Sequence, residues 1–189
     1  MSCRRLVFDT GPLSSFAVVA RLDLLEAVCA GHAAWPLSVQ RELRAGTRAQ
    51  PALAGVLEAA FLGPPDVLER PADLLEVELL RLRLAGSSLG PHHNRGEAEA
   101  IFLARRRNGV FVSEDRDARV LAAGELGPGR VAGTPDLLAR AVGLGLVSPA
   151  GAWDAHQAML AAGRRPGCCP VTRTGRRGPP GPPRSSTSR

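Results

Sequence analysis

The sequence predicts an α/β fold of three layers, with a mainly parallel central sheet flanked by helices. Two observations carry this prediction. Short apolar runs alternate with longer segments of helical period, the pattern of successive βα units. Carboxylates also gather where those runs hand over to helices, and in open α/β sheets ligands bind beyond the carboxyl ends of the strands. A chain of 189 residues is long enough for one such domain with a sizeable core.

The first strand is RRLVF, residues 4–8, and it ends on Asp9. Thr10-Gly11-Pro12 follows, with Pro12 suited to the first helical position, and starts a helix over LSSFAVVA. Residues 22–30 repeat Leu22, Leu25 and Cys29 at helical spacing and stop at Gly31. A second strand spans roughly Ala33 to Leu37, and Ser38 is the expected N-cap of the helix VQRELRAG, which carries Glu42. ALAGVLEAAF, residues 52–61, reads as another helix, broken by Gly63-Pro64-Pro65. VLER at 67–70 reads as a strand, and Pro71 opens a helix with Leu74, Leu75, Leu79 and Leu82 on one side.

Residues 86–94 form a loop whose His92-His93 pair is expected to face solvent or substrate, since adjacent loop histidines seldom chelate one ion together. The stretch 95–119 is the most informative. It predicts a helix with Glu97 and Glu99 in its first turns, a strand from Val110 to Val112, and then Glu114, Asp115 and Asp117. Arg105 to Arg107 are expected to complement the negative end of that helix. VAGT at 131–134 makes a last short strand, Thr134-Pro135-Asp136 a helix start, and Ser148-Pro149 a final helix through Trp153, His156 and Leu160 to Gly163. The domain is therefore placed at 1–162. Residues 163–189, rich in Arg, Gly, Pro and Ser, hold too little apolar surface to offset ordering entropy and are expected to be a disordered tail.

Charge divides along the same boundary. Seven arginines follow position 162 without one acid, whereas the other 17 face all 18 acids. The body is thus nearly neutral, and a pI near 10.7 does not imply a basic face on the fold. Absent lysine, with abundant Ala, Arg, Gly and Pro, marks the coding bias of a GC-rich genome. Cys3, Cys29, Cys168 and Cys169 have no zinc-type spacing. With no long apolar span and no signal-like start, a cytoplasmic protein without a membrane segment is expected.

Asp9, Glu42, Glu97 and Asp115 come from four separate elements, the distribution a Mg2+ or Mn2+ site requires, because hard cations take oxygen ligands. Glu97 shares a helix face with Ala100, Ile101 and Ala104, while Glu99 is rotated by roughly 200° and is held as a supporting or structural acid. Asp115 and Arg119, four residues apart, also admit a surface ion pair worth only ~0.3–0.5 kcal/mol.

In order and spacing, LVFDTGPL at 6–13, the Glu42 helix after WPLSV, RGEAEAIFLA at 95–104, VFVSEDRDAR at 110–119 and AGTPDLLARAVGLGLVSP at 132–149 resemble the PIN-domain family. This is the superfamily of metal-dependent ribonucleases that includes the VapC-type toxins. The chain is similar in particular to its branch with a Gly-Glu-x-Glu-Ala helix, over about residues 4–162. The resemblance implies a PIN-like fold and a ribonuclease that is the toxin of a toxin–antitoxin pair, with Mg2+ or Mn2+ as cofactor and RNA as substrate. It matches Asp9, Glu42, Glu97 and Asp115 to the family's catalytic acids, with Asp117 as an extra metal ligand. Thr10 or Ser113 would fix a carboxylate or a metal-bound water. Glu97 departs from the aspartate commoner in the wider family. Arg95, Arg116 and Arg119, or the cationic tail, would guide RNA. A small antitoxin protein and a homodimer are the implied partners.

Two rivals follow from the same residues. One is a catalytically degenerate PIN fold acting as an interaction subunit. The other, a haloacid-dehalogenase-like phosphatase, wants a second Asp two residues after the first, where this chain has Gly11.

Overall fold

The computed structural model describes residues 4–85 and 94–167. His92, His93, Cys3, Cys168, Cys169 and the tail beyond 167 lie outside them. Four parallel strands, β1 (Leu6–Phe8), β2 (Ala33–Ala34), β3 (Val110–Val112) and β4 (Val131–Ala132), form one sheet in the order β2-β1-β3-β4. The register pairs Leu6 with Ala33 and with Val110, and Phe111 with Val131.

Side chains alternate across this sheet with the period of a strand. Leu6, Phe8 and Val112 enter the core shared with helices α1 (Thr10–Val18), α2 (Leu22–Cys29), α3 (Leu37–Gly46), α8 (Thr134–Gly143) and α9 (Pro149–Ala161). Val7 and Phe111 enter the opposite core, beneath α5 (Pro71–Ala85), α6 (Arg95–Arg106) and α7 (Arg116–Leu126). With both faces covered, the strands read as continuous apolar runs, as buried parallel sheets do. This is the three-layer α/β arrangement expected. From β1 the chain crosses one face to β2, and from β3 it crosses the other face to β4, so the connections diverge between β1 and β3. A crevice beyond the carboxyl ends of those two strands is where this topology places ligands.

Several local expectations are corrected. Residues 52–61 do not form one helix: a 3-10 turn at Pro51–Leu53, α4 (Ala54–Leu57) and a second 3-10 turn at Ala60–Leu62 replace it. Leu53, Val56 and Leu62 are buried, and spacing by threes suits tight turns better than a long helix. Residues 67–70 are not a strand. Pairing there is a single bridge between Pro36 and Asp66, as expected where Pro64 and Pro65 remove backbone donors. Pro36, not Ser38, precedes α3, and Ser38 sits inside its first turn with a buried, unpartnered Oγ. Gly133 caps α8 in place of Thr134, its N–H donating to Asp136 Oδ2 at 2.8 Å.

On α5, the leucines do share a side, but it faces outward: Leu75, Leu79 and Leu82 are exposed, and Val77 and Leu80 face the core. Arg105, Arg106 and Arg107 reach across to neighbouring elements, pairing with Glu76 and Glu125, Asp73, and Asp66. A carbonyl in the last turn of α6 is instead met by Arg130, which donates to Ala104 O at 2.8 Å and, just before β3, to Gly109 O at 2.9 Å.

Candidate active site

Asp9 leaves the carboxyl end of β1 as the N-cap of α1, where Oδ1 accepts from the Thr10 N–H at 2.6 Å. Its Oδ2 accepts from Ser113 Oγ at 2.9 Å, so the carboxylate is held from the neighbouring strand β3. The Ser113 hydroxyl in turn accepts from the Asp115 N–H at 3.1 Å. One buried serine therefore holds the Asp9 carboxylate and the Asp115 backbone together at the β1/β3 divergence. Asp115 caps α7 by accepting from Ala118 N at 2.7 Å, instead of pairing with Arg119.

Glu42 approaches from α3. Thr10 Oγ1 donates to its Oε2 at 2.5 Å, and a Cβ added at Gly96 would lie 2.7 Å from its Oε1. The absent side chain at the start of α6 is thus what lets the Glu42 carboxylate sit there. Glu97, in the first turn of α6, completes the ring of acids.

Asp9, Thr10, Glu42, Glu97 and Asp115 line one cavity of about 630 Å³, together with Arg116. Burial, reinforced by the charges of Glu97 and Glu42 and opposed by the Ser113 and Thr10 hydrogen bonds, pushes the Asp9 carboxyl up to about 8. A carboxyl held so far above its ordinary range, in a cavity of like charges, is a group that a cation would ionise.

The other expected residues lie elsewhere. Asp117 is exposed in the first turn of α7 and is not among the residues lining the cavity. Glu99 is buried and accepts from Arg95 Nε at 2.8 Å, so its charge is spent inside α6. Arg95 borders a smaller neighbouring cavity of about 300 Å³ with Ser38, Arg41 and Glu42. Arg119 packs at Gly133, where an added Cβ would meet its Nη1 at 2.6 Å.

Sequence reasoning assigned no role to Glu114 and took Arg164 only as one cation of the tail, yet both line the same cavity. Glu114 Oε1 accepts from Ser15 Oγ at 2.5 Å and Thr134 Oγ1 at 2.7 Å, and its Oε2 is 3.7 Å from Arg164 Nη2. The acidic run at 114–117 hinted at Glu114, but its partners stand far off in the chain and no spacing rule connects them.

The donor set fits a hard divalent cation in kind, being carboxylate oxygens throughout. Among the described residues, however, no three His, Cys, Asp or Glu side chains converge closely enough to grip an ion as they stand. The acids surround the cavity without closing on its centre.

No helix among the described residues is long and apolar enough to cross a membrane. A family model, that of the PIN domain, matches residues 5–166. No curated protein and no solved structure gives a match.

Proposed function

The chain belongs to the PIN-domain family, and from that membership and its acid-lined cavity we propose that it is a metal-dependent ribonuclease hydrolysing RNA phosphodiester bonds, the toxin of a toxin–antitoxin pair. The observation that carries this reading is the buried Asp9, raised to about 8 beside Glu97 and Glu42 at the β1/β3 divergence. A fold does not stabilise itself by burying a carboxyl among carboxyls, and such a cost is commonly found at functional sites.

Asp9, Glu97 and Asp115 would hold Mg2+ or Mn2+, with Glu42 ligating directly or through water. The bound ion would activate water and stabilise charge developing on the phosphate. The protein's own part is orientation: Ser113 fixes Asp9, Thr10 fixes Glu42, and the α7 cap fixes Asp115. Arg116 is the predicted RNA-guiding arginine that borders the cavity. The setting proposed is cytoplasmic. A small antitoxin and a second copy of the chain are the protein partners proposed, and the exposed Leu75, Leu79 and Leu82 side of α5 is where to seek such a contact.

The test is cleavage of single-stranded RNA by the purified chain in Mn2+ or Mg2+. Activity abolished by chelator and by Asp9→Asn is expected. An Asp9→Asn variant as active as the parent would remove the proposal. A second reading, a PIN fold kept as a non-catalytic interaction subunit, is favoured by the lack of three converging ligands among the described residues. A Mn2+ titration separates the two, since an interaction subunit need bind no metal there.

A further inference from the structure

We infer that Arg164 is a substrate-binding residue of this site, positioned by Glu114 to take a phosphate oxygen of a bound single-stranded RNA. The inference rests on the ribonuclease reading and adds to it the cation that an acidic cavity lacks for an anionic substrate.

Three observations place the guanidinium there. Helix α9 ends in a turn in which Gly163, at φ 76°, donates its N–H to Leu160 O at 3.0 Å. Arg164 N–H then donates to Met159 O at 2.9 Å. This αL glycine closure reverses the chain sharply at a helix end. The segment beyond is tied down at Gly167, whose carbonyl oxygen lies 2.8 Å from Nε2 of the buried His156. Arg164 therefore returns to the domain on a fixed backbone.

Its head group is then fixed by the site's own walls. Nε donates to Ser15 Oγ at 3.2 Å, Nη2 donates to Gly11 O at 3.2 Å, and Glu114 stands 3.7 Å away as the counter-charge. Ser15 and Thr134 both donate to Glu114 Oε1 and hold the carboxylate with Oε2 on the side of the guanidinium, so it acts as a mount for the arginine. A guanidinium has five N–H donors in a planar fork. Two are used here, and Nη1 has no partner among the described residues, while the residue lines the cavity that Asp9, Glu97 and Asp115 share. Arginine held by one edge, with another edge towards a cavity, is the geometry that binds phosphate through paired N–H groups.

The experiment compares the full chain with Arg164→Ala, Arg164→Lys and, as a remote control, Arg70→Ala. It measures steady-state cleavage of a single-stranded oligoribonucleotide in Mn2+ across a salt series, equilibrium binding of the same oligonucleotide in EDTA, and melting temperature. For Arg164→Ala, KM and the dissociation constant should rise about 10- to 100-fold, the cost of a lost charge-assisted contact. The slope of log K against log salt should fall by about 0.7. Lysine should recover part of the affinity, Arg70→Ala should match the parent, and melting should be little changed. An Arg164→Ala protein with parental KM and salt slope overturns the inference while leaving the ribonuclease reading intact. Weaker binding that tracks a lower melting temperature, with an unchanged slope, also overturns it by assigning Arg164 a structural role. A parent chain that binds the oligonucleotide through Arg164 but never cleaves it keeps the inference and removes the nuclease reading. A parent that does not bind it removes both.

Discussion

Replacing Asp9 by Asn should make this protein more stable, and the gain should depend on pH in a defined way. The change is nearly isosteric. Asn is as good an N-cap as Asp, so the bond from Thr10 N is retained, and the main loss is a rearrangement at Ser113 Oγ. What the substitution removes is a buried carboxyl raised from 3.8 to about 8, chiefly by burial and then by Glu97. At about 1.4 kcal/mol per pH unit that interval has a ceiling of roughly 6 kcal/mol. The cavity admits water on the side of exposed Glu42 and Asp115, so about half, roughly 3 kcal/mol, is expected at alkaline pH. For a domain of this size that is a rise in melting temperature of about 6–12 °C.

The sign follows from proton linkage. Because the folded-state value lies above the unfolded one, the native state binds more protons between them. Parent stability falls as pH rises from about 4 to about 8 and then levels. The variant lacks that term, so its advantage should be absent near pH 3.5, grow through the window and be constant above it. Thermal melts of both proteins in chelator at several pH values, with the difference taken at each, test this directly. A variant that melts at or below the parent at pH 9, or a difference as large at pH 3.5 as at pH 9, refutes the reasoning.

Gly96→Ala should separate site from fold. The new Cβ would stand 2.7 Å from Glu42 Oε1, and because Glu42 is exposed it can swing away. Unfolding free energy should change by less than about 1 kcal/mol, whereas Mn2+ affinity measured by calorimetry should fall at least about tenfold if Glu42 contributes to the ion. Arg130→Ala should act in the opposite manner, deleting donations to Ala104 O, Gly109 O and Leu126 O far from the cavity. Urea unfolding should show a loss of about 2–3 kcal/mol, with Mn2+ binding unchanged.

The sheet and most helices were legible because their signals are local. Asp9-Thr10-Gly11-Pro12 announces a strand end and a helix start within four residues, and α9 begins at the Ser148-Pro149 signal, with Ser148 accepting from Gly151 N at 3.0 Å. Failures came where tertiary packing overrode pattern. Residues 52–61 have helical composition, yet burying Leu53, Val56 and Leu62 against the first core breaks them into tight turns. The leucines of α5 form an apolar stripe, but Val77 and Leu80 fill the place beneath the sheet-facing side and leave the stripe outside. Ser38 had the chemistry of a cap, but the bond from Leu37 N to Asp66 O is already made outside the helix, so α3 starts two residues earlier, after Pro36.

The candidate site was legible in its acids and, through the family resemblance, in Thr10 and Ser113, which hold Glu42 and Asp9 as expected; the Glu114 network was not legible. A carboxylate at a strand end announces itself, whereas its support depends on which distant hydroxyl or guanidinium arrives beside it. Those supports divide the cavity into unequal halves. Asp9 and Asp115 are tied to Ser113 and to helix caps, and Glu114 joins α1, the start of α8 and the turn after α9 on one carboxylate. That half can move only by breaking several bonds at once. Glu42 is exposed and held in the cavity by the Thr10 hydroxyl. If the acids must draw together to grip an ion, the displacement belongs to the Glu42 side. The Thr10–Glu42 bond is the contact such a displacement would have to break.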